Sequence, residues 1–305
     1  MELASSVRNM LDQQCHKLQN GQGDHVVEEL CSLLLPLRLH SLEEDWQRVK
    51  ETCLAHPIRE LLHQAPYTFR AFQKPRGYAG DAVMLDYVYD GVPPDSTSSI
   101  GRQVFAGTTG LSNGKSVIAR RDLLTLHIDA LAATKNRPRI LSLACGHLRE
   151  AQQSLAVKNR AIGEYYAIDH DQETLKVVDE EQRDQGVTPV HGSVVSVIRR
   201  KVEFREIDFA YAAGLYDYLS ESLAAKTTKA LFDMLAPGGQ LLVANYVPNS
   251  HGRGYMDAFM DWSLIYRTEQ DLQAVMALVP DGLIASRSSF HDAIGNVVYL
   301  EVIRA

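Results

Sequence analysis

The sequence predicts an α/β protein in which a helical N-terminal region precedes a mostly parallel sheet with helices on both faces. Three observations carry this expectation. Up to about Leu111, apolar residues recur at three- and four-residue intervals and strand signals are few. From Lys115 onward, short apolar runs alternate with helical stretches, which is the pattern of crossover units feeding a parallel sheet. The last two runs, LIASRSSF and VVYLEVIRA, are joined by HDAIGN, whose short glycine-asparagine turn makes them a terminal antiparallel hairpin. The chain is accordingly divided into residues 1–113, helical, and residues 114–305, which carry the sheet.

In chain order, Val27, Leu30, Leu34 and Leu37 form one helical stripe, and Pro36 is expected to bend or divide that stretch. A further helix is predicted around Ile58 to Phe72. The loop QKPRGYAGD, ending at Asp81, leads into AVMLDYVYDGV, and the Pro-, Ser-, Thr- and Gly-rich stretch Pro93 to Gly114 reads as a connection. Val117, Leu124, Ile128 and Leu131 mark one face of the next helix. Strands are expected at Arg139–Cys145, Tyr165–Ile168, Val187–Val190, Ile207–Ala213 and Gln240–Asn245. The last is announced by Pro237-Gly238-Gly239, which ends a helix and turns the chain into a strand.

Composition bounds the function. With 305 residues, 45% of them apolar, the chain can bury a core without disulfides or a structural metal. The 31 basic and 38 acidic side chains give a net charge of -7, spread along the chain. No basic cluster marks a nucleic-acid footprint, so nucleic acid is not expected as a partner. No apolar run is long enough to cross a bilayer, and the first residues lack the cationic start and apolar block of a secretion signal. Four cysteines, Cys15, Cys31, Cys53 and Cys145, form no CxxC pair and read as reduced thiols of a cytoplasmic protein. His16, His25, His40, His56 and His63 show no metal-ligand spacing, so no metal site is expected. Oligomeric state stays open.

The sharpest motif is RILSLACGHLREA, an apolar strand that turns at Ala144-Cys145-Gly146 into a helix. Glycine permits the tight turn, and a following helix N-terminus offers free N–H groups. Some twenty residues on, a second strand ends in YYAIDHD, where Asp169 is placed to accept both hydroxyls of a ribose. The third run ends near Ser193 and Val194, where an adenine edge would lie. A dinucleotide enzyme shares the acidic strand end but needs GxGxxG, whereas Gly146 is followed by His147-Leu148-Arg149-Glu150. Glu150 would also repel a pyrophosphate.

With these motifs and LAPGGQLLVANY, residues 139–305 resemble a class I S-adenosylmethionine-dependent methyltransferase. The resemblance implies a Rossmann-like seven-stranded sheet, S-adenosyl-L-methionine as cofactor across the carboxyl ends of the strands, and a small-molecule methyl acceptor. It implies that the methionine part lies against Ala144, Cys145 and Gly146, that Asp169 holds the ribose, and that His170, Gly192, Ser193, Val194, Ala213 and Gly214 complete the cofactor site. The sequence departs from the family in reducing GxGxG to Cys-Gly-His and in placing Ser193 where an acid is common. A narrower likeness rests on PRGYAGDAVMLDYVYDG, AGLYDYLS and DWSLIYRTEQDL. These are similar to a bacterial subgroup labelled extracellular factor 3-hydroxypalmitic acid methyl ester biosynthesis proteins, which implies O-methylation of a fatty-acid carboxylate.

A carboxylate acceptor needs only an anchor, whereas an amine or hydroxyl acceptor needs a base. Two segments are searched for such groups: the insert NYVPNSHGRGYMDAFMDWSLIYRTEQ after the fifth strand, and the GYAGD loop of an N-terminal helical cap region. His251, Tyr78, Tyr246 and Arg267 are the candidate catalytic residues, His251 because it titrates nearest neutrality. Arg76, Tyr78, Asp81, Tyr255 and Tyr266 are candidates for the acceptor, with Asp261 as a further polar group. Arg120 and Arg121 could meet a carboxylate of substrate or cofactor. Beside carboxylate O-methylation stand N- or O-methylation of a specialised metabolite, assisted by His251 or a tyrosine, and a non-catalytic S-adenosylmethionine-binding protein.

Overall fold

A computed structural model describes residues 2–305. The chain forms two units: one comprises residues up to Ile118 together with Asn249–Ser263, and the other comprises Ala119–Pro248 and Leu264–Ala305. The insert after the fifth strand is thus shared, with residues 249–263 belonging to the N-terminal helices rather than to the sheet.

The first unit is built from α1 (Glu2–Gln19), α2 (Val26–His40), α3 (Glu43–Ala55), α4 (Ile58–Leu62), α5 (Pro66–Gln73), α6 (Ala82–Asp90) and α7 (Ser99–Thr109), with the start of α8 (Ser112–Thr134). Two expectations are corrected here. α2 continues through Pro36, and the division comes later, at Ser41 and Leu42. Its buried face of Val26, Val27, Leu30, Cys31 and Leu34 outweighs the one backbone bond that proline removes. The stretch read as a connection contains α7, capped by Ser98, whose Oγ accepts the Gly101 N–H at 3.0 Å. Gly101 is there for close packing, since a Cβ would lie 2.4 Å from the Gln64 carbonyl oxygen.

The second chain segment of this unit carries a further helix, Arg253–Phe259, which packs on α2 and α3. At Gly254 it comes so close to α2 that a Cβ would sit 2.7 Å from the Leu34 backbone. Its Asp257 gathers three helices: Trp46 Nε1 donates to it at 2.6 Å, Lys50 Nζ lies at 3.1 Å, and Arg38 Nε lies at 3.2 Å. Burial opposes ionisation of this carboxyl, but Ser263, Lys50 and Trp46 together hold it below the usual carboxylate range.

In the other unit, α8 leads to β1 (Arg139–Leu143), and short helices α9 (Arg149–Gln153) and α10 (Leu155–Lys158) precede β2 (Glu164–Asp169). α11 (Gln172–Gln182), β3 (Val187–His191), α12 (Val194–Ile198), β4 (Ile207–Ala212), α13 (Glu221–Met234) and β5 (Leu235–Tyr246) follow. After the helix Arg253–Phe259, here α14, come α15 (Glu269–Ala274), β6 (Ile284–His291) and β7 (Val297–Arg304). The seven strands lie in the order β3-β2-β1-β4-β5-β7-β6, with β7 antiparallel to both neighbours and the others parallel. This is a seven-stranded Rossmann-like α/β sheet, as the sequence resemblance implied.

Its central strands are buried on both faces, which is why they read as continuous apolar runs. Leu141, Leu143, Ala210 and Ala212 face one core, and Ile140, Phe209 and Tyr211 face the other. β5 starts before the predicted Gln240: Leu235 already pairs with Ile207, and the register slips across Ala236–Gly239 before Gln240 meets Phe209. Gly238 absorbs this irregularity with φ 76°. Among the described residues, no helix is long and apolar enough to cross a membrane.

The Asp257 contacts generate a stability prediction for the first unit. Asp257→Asn takes the shared buried carboxylate from Arg38 and Lys50, leaving them only the exposed Glu43 and Asp261, and should lower unfolding stability by about 3 kcal/mol. Urea denaturation measures it, and a loss below about 1 kcal/mol, the range of an exposed pair, would remove Asp257 from this role.

Candidate active site at the carboxyl ends of the strands

The turn after β1 is more constrained than a single glycine implies. Ala144, Gly146 and Leu148 adopt φ of 56°, 57° and 53°, so the left-handed conformation alternates along the turn although only one of the three is glycine. A left-handed non-glycine residue costs roughly 1–2 kcal/mol. Backbone bonds hold the turn against this strain: Cys145 N–H to the Ile168 carbonyl at 3.0 Å, Gly146 N–H to Asp169 Oδ2 at 3.1 Å, and Leu148 N–H to the Cys145 carbonyl at 3.2 Å. Strain of this kind is retained where a ligand requires the shape.

Asp169, the last residue of β2, is the centre of the arrangement and is only 4% exposed. Its Oδ1 accepts the Asp171 N–H at 3.0 Å, and its carbonyl accepts the Gly192 N–H at 2.9 Å. Each carboxylate oxygen keeps acceptor capacity for a hydroxyl. The exposed His170 places Nδ1 3.3 Å from Asp169 Oδ1. Ser193 caps α12, its Oγ accepting the Ser196 N–H at 3.2 Å, and the partly buried Val194 follows.

Beyond β4, Ala213 offers its carbonyl to Arg120 Nη1 at 2.7 Å, and a Cβ on Gly214 would stand 3.5 Å from Arg120 Nη2. Two residues on these strand ends carry charge that the motif reading left without a role. Asp217 accepts the Tyr246 N–H at 2.7 Å, and burial pushes its carboxyl up to about 6 against the opposing pull of that N–H, Arg120 and Arg267. Glu150 on α9 accepts the Tyr211 hydroxyl at 2.6 Å, which in turn meets the Tyr165 hydroxyl at 2.5 Å. A charge interrupting AGLYDYLS was the available signal for Asp217; for Glu150 the sequence showed only a misfit with pyrophosphate.

The cofactor candidates 144–146, 169–170, 192–194 and 213–214 therefore line adjacent strand ends of one sheet. The catalytic and acceptor candidates are divided between the two units, and three of them are buried with partners of their own. Arg267 is buried and donates through Nη1 to the Tyr216 carbonyl at 2.6 Å and Asn245 Oδ1 at 2.7 Å, and through Nη2 to the Leu219 carbonyl. It fixes the loops after β4 and β5. Asp81 is fully buried, caps α6 through the Met84 N–H, and pairs with Arg70 Nη2 at 2.8 Å. Tyr255 is buried in the first unit with its hydroxyl 3.3 Å from Thr68 Oγ1. Burial pushes its phenol up.

The remaining candidates are more open. His251 belongs to the first unit, where Nε2 lies 2.8 Å from Glu28 Oε1. Arg76 and Tyr78 sit half-buried in the α5–α6 loop, and Asp261 is exposed, paired with Lys74. Tyr246 ends β5, its carbonyl accepting the Arg267 N–H at 3.0 Å, and Tyr266 packs on the core face that holds Tyr211. Arg121 pairs with its neighbour Asp122 at 2.8 Å.

Asp217 gives a pH prediction with a definite sign. Its folded pKa lies above the ordinary value of 3.8, so the folded state holds the proton more tightly and stability falls as pH rises from about 4 to about 6. The full effect is about 3 kcal/mol. Asp217→Asn keeps an acceptor for Tyr246 and removes the titration, so it should gain stability relative to the parent across that window in urea unfolding. A difference that stays flat with pH would contradict this.

No protein-family model and no curated protein matches the sequence. Among solved structures, the chain is similar to one described as a possible exported protein from Bordetella parapertussis, with a TM-score of 0.55 and 14% identity, covering 73% of this chain and 79% of that one. It also resembles the N-methyltransferase NodS from Bradyrhizobium japonicum, with a TM-score of 0.45 and 12% identity over 64% of this chain and 99% of that one. Another likeness is to magnesium protoporphyrin IX methyltransferase from Synechocystis with bound S-adenosylhomocysteine, with a TM-score of 0.45 and 13% identity over 62% and 84%. At such identities the likeness is one of fold alone.

Proposed function

We propose that the chain is an S-adenosylmethionine-dependent methyltransferase. The observation that carries this reading is the strained turn closed by a buried carboxylate: Ala144, Gly146 and Leu148 are left-handed and Gly146 N–H is held by Asp169. The turn fits this cofactor and opposes a dinucleotide. Two buried carboxylates, Asp169 and Glu150, surround Cys145, whose thiol is pushed up by burial and by both of their charges. A pyrophosphate would meet that negative field, whereas a sulfonium compound without phosphate gains from it.

When bound, the cofactor supplies a methyl group on a positively charged sulfur. Asp169 accepts the ribose hydroxyls, the 144–146 turn borders the methionine part, and Ser193 with Val194 borders the adenine. Arg267 and Asp217 hold the loops after β4 and β5 in place, so that an acceptor is positioned without rearrangement there.

The acceptor we propose is a carboxylate on an apolar small molecule, such as a hydroxy fatty acid. It is already an anion, so the site requires positioning and no proton removal. Tyr218 and Ile265, 39% and 40% exposed, support an apolar acceptor; the Ile265 N–H donates to the carbonyl of Asp217, next to Tyr218, at 2.7 Å in the loop after β4.

Calorimetric titration with S-adenosylhomocysteine, with NADH and NADPH as controls, tests the cofactor. We expect micromolar binding of the homocysteine compound alone, weakened by roughly 1.5–3 kcal/mol in Asp169→Ala, the scale of hydrogen bonds to a charged group. Binding of a nicotinamide instead would reverse the reading, and unchanged affinity in the variant would remove Asp169 from the ribose. Methyl transfer to 3-hydroxy fatty acids, followed by mass spectrometry, tests the acceptor: methyl ester formation is expected, and transfer to amines alone would exclude a carboxylate.

A further inference from the structure

A further cavity, of about 440 Å³, lies at the end of the sheet opposite Asp169, where β4 and β5 begin and β7 ends. It is bordered by Leu235 and Arg304, by Lys229 and Asp233 of α13, and by the loop 199–206 that joins α12 to β4. Such a volume suits a small molecule. Leu235 apart, the lining is charged, with four cationic and three acidic side chains among the described residues. An apolar ligand would strip water from these ions and offer nothing in its place.

The loop is anchored from below. Phe204 stacks on Tyr166 with ring centroids 3.9 Å apart, and Arg139 Nη1 donates to the Arg205 carbonyl at 2.6 Å. These contacts determine a loop in which Arg200 and Glu206 are left-handed, each with φ 55°. Its cations are unevenly matched. Lys229 Nζ meets both oxygens of Asp233, at 2.5 and 2.6 Å, and Arg200 Nη2 lies 3.3 Å from the same carboxylate. Arg304 directs Nη1 to the Asp233 and Leu235 carbonyls, at 3.2 and 2.6 Å, and has no ion pair among the described residues. Glu203, Arg205 and Glu206 are exposed, and among the described residues their side chains make no hydrogen bond or ion pair. An anchored wall thus presents charge of both signs that the fold itself does not use.

We propose that this cavity binds a phosphate monoester of a small hydroxylated molecule, with Arg205 and Arg304 on the phosphate and Glu203 and Glu206 accepting from the hydroxyls. A phosphate monoester carries about -1.5 to -2 charge at pH 7 and three acceptor oxygens, which guanidinium groups meet in bidentate fashion. The two glutamates repel a bare anion but accept from hydroxyl groups, so the mixed lining favours a ligand that carries both. The site stands at the strand ends opposite those assigned to the cofactor, and its ligand does not depend on the methyltransferase reading.

Titration calorimetry of the full chain at low ionic strength tests this with ribose 5-phosphate, inorganic phosphate and ribose as probes. Ribose 5-phosphate should bind about tenfold or more tightly than inorganic phosphate, and ribose alone should not bind. Arg205→Ala removes a side chain without partners in the fold, so urea unfolding should stay unchanged while ribose 5-phosphate weakens about tenfold or more. Glu203→Gln removes both the repulsion of a bare anion and a charged acceptor for hydroxyls, so it should narrow the gap between the two phosphates. No saturable binding of ribose 5-phosphate overturns the proposal, as does equal affinity for both phosphates. Binding indifferent to Arg205→Ala means an adventitious ion only, and a gap unchanged in Glu203→Gln overturns the hydroxyl contacts. Saturating S-adenosylhomocysteine should leave ribose 5-phosphate within about twofold of its affinity, whereas competition would move the phosphate to the other end of the sheet and overturn the site. Failure of the homocysteine compound to bind would instead strike the methyltransferase reading and leave this site standing.

Discussion

One carboxyl-terminated strand holds the candidate site together. Asp169 accepts the Gly146 N–H after β1, the Asp171 N–H beyond its own strand, and, through its carbonyl, the Gly192 N–H after β3. Three chain segments that the sheet delivers side by side are thereby fixed at the level where the strands stop. The left-handed Ala144 and Leu148 depend on this, because their conformation is unfavourable in isolation and persists only when its surroundings determine it. The side chain that braces the turn is also the one proposed to meet the ribose, so a substitution at this position tests both at once.

The neighbouring strand ends are secured by charge. Arg267 spans the Tyr216 and Leu219 carbonyls and Asn245, while Asp217 receives the Tyr246 N–H. Buried carbonyls at strand ends have no ladder partner, and a planar guanidinium satisfies several of them at once in a way lysine cannot. Arg120 does the same for Ala213. The loops that border the site are consequently rigid without being apolar, and their ions leave the region sensitive to the charge of whatever binds there.

The sheet was legible because its physics is repetitive. Strands buried on both faces must be apolar throughout, and β1, β2 and β4 announced themselves in that way. The hairpin at the end of the chain followed from its turn residues. What escaped had no compositional mark. Gly101 reads as loop punctuation, yet it serves a helix that touches the Gln64 carbonyl. Ala144 and Leu148 are ordinary residues in an extraordinary backbone conformation, which nothing in their identity discloses. Arg267, Asp81 and Tyr255 carry functional groups suited to a site, and whether such a group points toward ligand or inward is decided by the partners that the fold brings to it. Asp81 needs Arg70 and Met84, and Tyr255 needs Thr68 from 187 residues away.

The membership of α14 in the helical unit has a consequence for how the protein comes into being. Tyr255, Asp257 and Phe259 complete the packing of helices that precede the sheet in the chain, yet they emerge only after β1 through β5. During translation the early helices present an unfilled groove beside Leu34, and Arg38 and Lys50 await their common counterion, while five strands are still being added. The helical unit can therefore close only after β5 has been made, which lengthens the interval in which a chaperone finds apolar surface to hold.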